Sequence, residues 1–482
     1  MNRRMVAYTI GQIIKLGGIL MIFPLIVSAV YVERHCILAF ASTIIISLLF
    51  GFALTILCKP KNYVIYAKEG FVTVAFAWII LSLLGALPFY ISTEVPNFFD
   101  AFFETVSGFT TTGSTILSDV ESMSRGLLFW RSFTHWIGGM GVLVLMMAIL
   151  PTDSGRAMHI MRAEMAGPVI GKLVPKIKDT AKILYLIYFI LTVVEFLFLL
   201  IGGMPVFDSI VHALGTAGTG GFGIKADSIA SYSPYLQWVI IAFMLLFSVN
   251  FNLYYLLLIK RFSTVFKSTE LWTFLGMVLV ASGMITYSIY PMYQNFGDSF
   301  RHAIFQVSSV MSTTGYASTD FDLWPGLAKG VLFLMMFVGG CAGSTAGGLK
   351  ISRVILLCKI VHKDIKKMLH PRSVASVRLE GKNVDNATLN SVTTYFAIYA
   401  GMILILFLIL SFEPFDFTTN LTAAVTCFNN VGPGFNKIGP MASFGKYSNA
   451  SKFILSIAML FGRLEIYPML LAFYPKTWTR KN

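Results

Sequence analysis

One arrangement of apolar segments occurs four times along the chain and restricts its fold more than any other feature. In each copy a long apolar segment is followed by a short one that ends in hydroxyl, amide or glycine residues, and then by a second long segment. A membrane-spanning helix needs about 20 mainly apolar residues, which the long segments have and the short ones lack. A repeat with a period of roughly 100 residues therefore predicts four similar structural units.

The repeat predicts an all-α integral membrane protein in which four span–loop–span units surround one pore. The predicted units comprise, in order, 70–90, 97–115 and 127–150; 181–202, 207–223 and 236–259; 271–290, 296–315 and a broken helix at 327–360; and 392–412, 415–435 and 453–473. A two-helix hairpin with spans 10–32 and 36–57 precedes them. The domains expected from this division are 1–69, 70–155, 156–268, 269–385 and 386–482.

Charge is scarce and unevenly distributed. The chain is 56% hydrophobic and 12% charged, about half the charged fraction of a soluble domain, and has a net charge of +14. Basic clusters alternate with acidic segments, as the positive-inside rule requires, so we expect a multi-pass protein of the cytoplasmic (inner) membrane with both termini in the cytoplasm. Contact with anionic lipid explains most of the positive charge, and no nucleic-acid partner is expected. The scattered cysteines, without a Cys-x-x-Cys pair, indicate neither a metal site nor a disulfide framework.

The short segments predict a cation site. Residues 103–113 align with 305–315 without a gap, and all four copies share one glycine. Short helices that direct their C-terminal ends at a common axis place partial negative charge there, and backbone carbonyls can replace the water shell of a cation. Neither acidic nor basic residues occur in rows at these positions, which disfavours divalent cations and anions. The predicted site residues are Thr111, Thr112, Gly113, Gly220, Gly221, Thr313, Thr314, Gly315, Asn430, Val431 and Gly432.

A glycine-rich stretch interrupts the second span of the third unit. Each glycine costs roughly 1 kcal/mol relative to alanine inside a helix, so 338–350 should unwind. Unwound backbone is tolerated at membrane depth only where it is buried in protein or lines a water-filled cavity. Close helix packing through small residues is the alternative, but their density favours a loop. We therefore expect a loop beside a polar pathway through the membrane, with the residues Gly339, Gly340, Gly343, Ser344, Thr345, Gly347 and Gly348.

Arg463 is the second residue that stands out in a membrane-spanning segment. It lies in the last span, where an arginine at the bilayer centre costs about 2.5–3.5 kcal/mol on insertion scales and usually faces the bundle interior or water. Facing the cavity, its charge would oppose the passage of cations. The alternative is a structural ion pair with Glu465 or Glu195.

The chain resembles the Trk/Ktr/HKT superfamily of potassium transporters, most closely the membrane subunits of the bacterial Trk H type. The resemblance covers essentially the whole chain and rests on the four loop glycines, the stretch 339–350, His135-Trp136-Ile137-Gly138-Gly139-Met140-Gly141 and Gly462-Arg463-Leu464-Glu465. It implies one pore per chain, a homodimer, K⁺ bound by the filter carbonyls and a gating loop beneath the filter at 339–348. With the resemblance, a gate role for Arg463 is favoured over a structural ion pair. It also implies a cytosolic ring of nucleotide-binding regulatory subunits. Since no G-x-G-x-x-G follows a strand here, any nucleotide site belongs to that partner, and no covalently bound cofactor is expected.

Three functions can be weighed from these features. Potassium uptake through a gated, channel-like pore agrees best with the neutral, carbonyl-rich loops. A sodium- or proton-coupled potassium symporter should carry an ionisable residue at the midplane, for which Glu195 and Glu465 are the candidates. A membrane enzyme is disfavoured because the sequence has no His-Glu-x-x-His, Gly-x-Ser-x-Gly or Walker motif and no paired intramembrane aspartates.

Overall fold

The computed structural model of the chain describes residues 1–61, 66–141, 177–372 and 376–478. Within these ranges six helices are long and apolar enough to cross a membrane, or up to eight if each of two bent helix pairs counts as one span. The only strands in the described ranges form a two-stranded antiparallel hairpin. The architecture agrees with the predicted all-α membrane fold.

The helices and strands, in chain order, are α1 (Arg3–Leu20), α2 (Ile22–Val30), α3 (Arg34–Leu57), α4 (Ala67–Ile91), α5 (Phe98–Phe109), α6 (Arg125–Gly139), α7 (Ile177–Ile201), α8 (Val206–Gly218), α9 (Pro234–Ser248), α10 (Phe251–Leu258), α11 (Phe262–Phe266), α12 (Thr269–Tyr293), α13 (Phe296–Met311), α14 (Gly326–Met335), α15 (Ile351–Leu369), β1 (Arg378–Leu379), β2 (Lys382–Asn383), α16 (Asn386–Leu410), α17 (Phe417–Asn429), α18 (Asn449–Arg463), α19 (Tyr467–Phe473) and α20 (Pro475–Trp478).

The predicted hairpin is present and is docked onto the first unit. α1 and α2 together form one apolar span of 28 residues, and α3 returns antiparallel to it. Glu33, in the turn before α3, accepts hydrogen bonds from the backbone N–H groups of Arg125 (2.6 Å) and Gly126 (3.0 Å). Its carboxylate thus satisfies N–H groups that the first turn of α6 leaves without an intrahelical partner.

The protein has two distinguishable faces. At the face called lower here, the Asn2 N–H donates to Glu69 at the start of α4 (3.1 Å), and Arg3 donates to the Trp478 carbonyl (3.2 Å). At the opposite, upper face lie the turn before α3 and the N-terminal ends of the four short helices α5, α8, α13 and α17.

Three of the four short helices begin at a side-chain cap. The side chains of Asn97, Asn295 and Asp416 accept backbone N–H groups at the starts of α5, α13 and α17. Such residues are favoured at helix N-caps because their oxygens satisfy N–H groups of the first turn. Three of the short helices, α5, α8 and α13, each pack against the third helix of the preceding unit, namely α18, α6 and α9. The units therefore follow one another around a common centre.

The third helices of the second and fourth units are bent, which the sequence did not predict. The spans predicted at 236–259 and 453–473 each consist of two helices, because α9 and α10 meet at 91° and α18 and α19 at 119°. Asn250 caps α10 with its side chain, and Pro468 in the first turn of α19 follows Glu465 and Ile466 with positive φ. Residues with positive φ interrupt a right-handed helix, and proline lacks the N–H group that would bond back across the break. Of the span predicted at 127–150, α6 covers the part to Gly139, and the part from 142 lies outside the described residues.

A buried ion pair fixes the first short helix. Arg131 Nε lies 2.8 Å from Glu104 Oε1, with the two side chains 2% and 0% exposed. Glu104 also accepts the Ile116 N–H, and Arg131 also donates to the Gly223 carbonyl of the second unit. Glu104 therefore anchors α5 both to α6 and to the loop that follows the short helix.

The upper loops of the four units are joined in a closed cycle. One hydrogen bond from each junction, in order, is Arg131 Nη1 to Gly223 O (3.2 Å), Ile229 N to Ala317 O (2.9 Å), Asn436 N to Asp322 Oδ2 (2.7 Å) and Phe444 N to Thr115 O (2.8 Å). Because the last of these returns to the first unit, each unit is held by two neighbours.

The Glu104→Gln substitution tests the anchor. It preserves the shape of the side chain but leaves the Arg131 charge buried without its counter-ion, which we expect to cost about 3–5 kcal/mol of unfolding free energy. The matched control is Asp298→Asn, because Asp298 belongs to a short helix of another unit but its pair with Arg301 is 41% exposed on the aspartate side. That exchange should cost less than about 1 kcal/mol. Denaturation in detergent provides the measurement, and equal losses in both variants would contradict the anchoring role.

Candidate functional site

Each short helix is followed by a three-residue segment of the same conformation, called a glycine loop here. The glycine loops are 111–113, 219–221, 313–315 and 430–432. Their first residues all have positive φ, at 55° for Thr111, 54° for Thr219, 57° for Thr313 and 56° for Asn430. Positive φ is uncommon outside glycine, and for a β-branched residue such as threonine it is strained. Strain of this kind costs on the order of 1–3 kcal/mol per residue and is typical of functional sites.

The third residue of every glycine loop is the glycine that the sequence aligned. φ is +79° at Gly113, +77° at Gly221, +86° at Gly315 and +100° at Gly432. The middle residues do not share this conformation. The same alternation in four copies shows that the loops have one common backbone path.

The four glycine loops form a closed ring. A Cβ atom placed on each glycine would lie less than 3.0 Å from the carbonyl oxygen of the residue before the next glycine. The four pairs, in order, are Gly113 with Gly220 O, Gly221 with Thr314 O, Gly315 with Val431 O, and Gly432 with Thr112 O. The order runs through all four units and returns to the first. Each carbonyl thus occupies the space that a side chain in the neighbouring unit would need.

Side-chain hydroxyl and amide groups brace the loops. Thr110 and Thr112 share a hydrogen bond of 2.8 Å between their hydroxyl oxygens, and Ser312 and Thr314 share the equivalent bond at 2.6 Å. Asn430 donates through Nδ2 to the Thr112 hydroxyl of the first unit (2.9 Å). These side chains hold the backbone in place, and the main-chain carbonyls are left as the groups that can line the ring.

The ring separates two cavities. The upper one, of about 330 Å³, is lined by all four loop glycines and by the upper loops. The lower one, of about 50 Å³, is lined by Gly139, Gly343, Gly347, Gly462 and Arg463 among others. The ring therefore lies between a larger upper cavity and a smaller lower one.

Four basic residues belong to the wall of the upper cavity: Arg131, Lys225, Lys437 and Lys446. The Arg131 charge is balanced by Glu104, and the Lys225 ammonium lies 4.1 Å from the centre of the Tyr232 ring. None of the four lies in a glycine loop, which agrees with the expectation that the ring itself is uncharged.

The glycine-rich stretch 338–350 is a loop directly beneath the ring. Gly347 N–H donates to the Thr313 hydroxyl at 2.6 Å, so the loop touches the third glycine loop. It also enters the break between α9 and α10, where Cys341 N–H donates to Ser248 O (2.9 Å) and Phe251 N–H donates to Gly343 O (3.1 Å). The alternative of an uninterrupted, closely packed helix is excluded, because α14 ends at Met335 and α15 begins at Ile351.

Glu270 holds both ends of this loop. From the first turn of α12, its Oε1 accepts the N–H groups of Ala342 (2.7 Å) and Ser352 (3.1 Å). Glu380, in the turn of the β-hairpin, in turn accepts the Glu270 N–H at 3.1 Å. Glu270 was not predicted from the sequence, because its partners lie 72 and 82 residues away and no local motif marks it.

Arg463 connects the loop to the first unit. Its guanidinium donates to the carbonyls of Thr345 (2.7 Å), Gly138 (2.6 Å) and Gly139 (2.6 Å). The last two are at the C-terminal end of α6, where a helix carries unpaired carbonyls and partial negative charge. Glu465, one of the two carboxylates considered as a partner, forms an ion pair with Arg353.

The structure brings most of the predicted residues together. The loop residues from Thr111 to Gly432 form the ring, and 339–348 with Arg463 lie beneath it. Thr219 was missed, although it occupies the position of Thr111 in the second copy and has the same φ. Continuing the alignment by two residues before Gly221 would have identified it.

Comparison with known proteins agrees with this architecture. Residues 37–275 and 254–480 match the family TrkH, described as cation transport protein. The chain is 34% identical over 483 residues to the Trk system potassium uptake protein TrkG of Escherichia coli (strain K12), covering 98% of both chains. It is 35% identical over 485 residues to TrkH of Salmonella typhimurium, covering 99% of this chain and 100% of the relative. The crystal structure of the potassium transporter TrkH from Vibrio parahaemolyticus superposes with a TM-score of 0.88 at 29% identity, covering 99% of this chain and 100% of that one.

Removing the Glu270 contacts should loosen the loop 338–350. The rate at which a maleimide modifies Cys341, which lies in this loop, measures the loosening. Cys341 is buried, so a membrane-permeant maleimide should modify it slowly in the unaltered protein. In Glu270→Ala, which frees the N–H groups of Ala342 and Ser352, modification should be at least severalfold faster by mass spectrometry. Glu270→Gln keeps the oxygen acceptor and removes only the charge, so it should stay close to the unaltered rate. Cys427, buried on α17, serves as the internal reference, and parallel acceleration at both cysteines would indicate general unfolding instead.

Proposed function

The chain belongs to the TrkH family of cation transport proteins, and from that premise we propose that it takes up potassium across the cytoplasmic membrane through a gated, channel-like pore. The observation that carries the proposal is the closed ring of glycine loops between two cavities. Relatives of this chain that share a third of its sequence are named potassium uptake proteins. K⁺ is the transported ion in this proposal.

The ring is proposed to select potassium with main-chain carbonyls. Carbonyl oxygens of Thr112, Gly220, Thr314 and Val431 lie at the junctions of the four units. A ring of carbonyl dipoles can replace the water around a monovalent cation without the strong field of a carboxylate ring, which favours divalent ions. The C-terminal ends of the four short helices add partial negative charge. The proposed binding residues are those predicted from the sequence, with Thr219 added.

The loop 338–350 and Arg463 are proposed to form the gate. In this conformation the loop contacts the ring from below, and Arg463 joins it to α6, so the lower cavity holds only about 50 Å³. The guanidinium places a positive charge next to the ion path, which opposes the passage of cations by direct repulsion. Opening requires the loop to leave the break between α9 and α10.

The lower face is proposed to be cytoplasmic and to carry the regulatory contacts. The distribution of basic residues favours this orientation, with both chain termini inside. α15 follows the gating loop directly and carries Lys366 and Lys367 in its last turn. The β-hairpin reaches the loop through Glu380 and Glu270. A homodimer, with cytosolic nucleotide-binding subunits acting on these elements and the nucleotide bound by the partner, completes the proposal.

The four units are proposed to act as one pore, with boundaries at 70–155, 156–268, 269–385 and 386–482, after the hairpin domain 1–69. The relatives named above are transporters rather than enzymes. No residue of this chain is assigned a catalytic role.

Coupled symport is the second candidate, and Glu195 is the observation that favours it. This carboxyl group, on α7, is fully buried. Thr216 of α8 is a polar neighbour, but no hydrogen bond of ordinary length reaches either oxygen within the described part of the chain. A buried carboxyl group behind a short helix is where a coupled proton could be carried. Accumulation of rubidium driven by an imposed proton gradient in liposomes would favour symport, whereas its absence favours the channel-like pore.

Substitution of a loop glycine tests the ring. In Gly221→Ala the new methyl group would enter the space of the Thr314 carbonyl, so we expect rubidium uptake into liposomes to lose its preference over lithium and sodium. Gly276→Ala is the matched control, because Gly276 lies in a membrane helix where a Cβ atom would have no neighbour within 4 Å. Unaltered selectivity in Gly221→Ala, with the fold intact by size-exclusion chromatography, would contradict the assignment of the filter.

Substitution of Arg463 tests the gate. Arg463→Ala removes three hydrogen bonds beneath the ring and the charge beside the path, so rubidium flux through the purified chain, without any regulatory partner, should rise severalfold. Arg463→Lys retains the charge but cannot bridge the same three carbonyls, and we expect an intermediate flux. If neither variant exceeds the unaltered chain, Arg463 is not part of the gate.

A further inference from the structure

We propose that His35, Cys36 and Glu94 form a binding site for a divalent transition metal of the zinc class at the upper face. His35 and Cys36 lie at the start of α3, and Glu94 lies in the segment between α4 and α5. One possible ligand atom from each residue lies within 4.8 Å of the others. The site joins the N-terminal hairpin to the segment that leads into the first short helix.

The three residues offer the donor types that zinc prefers. Zinc is bound in proteins by cysteine sulfur, histidine nitrogen and carboxylate oxygen at about 2.0–2.3 Å, which places tetrahedral ligands about 3.3–3.8 Å from one another. The His35 Nε2–Glu94 Oε1 distance is 2.8 Å and the Cys36 Sγ–Glu94 Oε1 distance is 3.5 Å. Side-chain movements of about an ångström would therefore suffice to admit the ion.

The hydrogen bonding around Glu94 also favours a cation. Three neighbours converge on its Oε1: His35 Nε2, Cys36 Sγ and the Ser124 hydroxyl. A carboxylate oxygen has two lone pairs, so it cannot accept from all three at once. The other oxygen is occupied, since Oε2 accepts the Ser124 N–H at 3.0 Å and is thereby held at the start of α6. An ion coordinated by the sulfur, the imidazole and Oε1 would satisfy all of these groups together.

Access and chemistry are compatible with reversible binding. The His35 side chain is 53% exposed and that of Glu94 is 19% exposed, while Cys36 is buried behind them. On binding, the Cys36 thiol loses its proton to solvent as the sulfur–metal bond forms, and a water molecule completes the fourth position. The sequence shows no metal signature here, because adjacent His35 and Cys36 form no recognised motif and Glu94 follows 58 residues later.

Such an ion would act as a removable cross-link. Glu33 already docks the same turn onto α6, and the metal would add a second tie, from α3 to the segment before α5. We therefore expect metal binding to stabilise the fold. The site lies away from the ring and the loop beneath it, so the inference does not depend on potassium transport.

Cobalt(II) spectroscopy of the purified full-length chain tests the proposal. Titration of metal-free protein with Co²⁺ should produce a thiolate-to-cobalt charge-transfer band that saturates at one equivalent per chain and disappears when Zn²⁺ is added. Cys36→Ser should abolish the band. A Cys58→Ser/Cys358→Ser double variant, which removes the two cysteines that are not buried, should retain it.

Two further variants cover the case in which Cys36→Ser fails to fold. His35→Gln and Glu94→Gln leave the thiol in place, and each should weaken Co²⁺ binding by on the order of tenfold or more. Zn²⁺ should also raise the melting temperature of the unaltered protein, and EDTA should reverse this. Absence of the band in the unaltered protein, its loss in the Cys58→Ser/Cys358→Ser variant, or undiminished affinity in both His35→Gln and Glu94→Gln would overturn the proposal.

Discussion

The structure depends on the close approach of the four glycine loops, which leaves no room for side chains at their glycines. Each glycine loop places a carbonyl oxygen against the glycine of a neighbouring loop, where a side chain would not fit. The same contact occurs between all four successive units and returns to the first. No single unit can satisfy it alone, so the units must be held at fixed positions around the centre. The hydrogen bonds between the upper loops, the packing of short helices on the preceding unit and the buried pair of Glu104 and Arg131 supply that constraint.

Below the ring the third unit differs from the second and fourth, and this asymmetry underlies the proposed gating. The third unit contributes a loop where the second and fourth have sharp bends. That loop is held from three directions, by the break between α9 and α10, by Glu270 of α12 and by Arg463 of α18. Each of these elements contacts the loop whose backbone lies directly beneath the ring. Since Glu380 joins Glu270 to the β-hairpin, the lower surface has a short path to the loop.

The ring and the loop beneath it could be predicted because local sequence patterns mark both. The helix bends and the Glu270 contacts could not, because no local pattern marks them. The recurring glycine and the density of small residues at 339–348 are visible in the chain itself. The bends at 249–250 and 464–466 were not predicted, because both segments are apolar enough for a continuous span and only cap and φ geometry reveals the break. Glu270 joins residues more than 70 positions away, and no pattern within one helix could indicate that contact. The roles of the ring as a filter and of the loop as a gate remain predictions.

The central claim is that the four glycine loops bind potassium with their carbonyl groups. Anomalous X-ray scattering from crystals of the purified chain grown in Rb⁺ or Tl⁺ tests it most directly, because these ions substitute for K⁺ and identify themselves. We predict an anomalous peak on the axis of the ring, within coordination distance of the carbonyls of Thr112, Gly220, Thr314 and Val431. A peak beside Glu195 with none in the ring, or an empty ring at saturating Rb⁺, would contradict the claim.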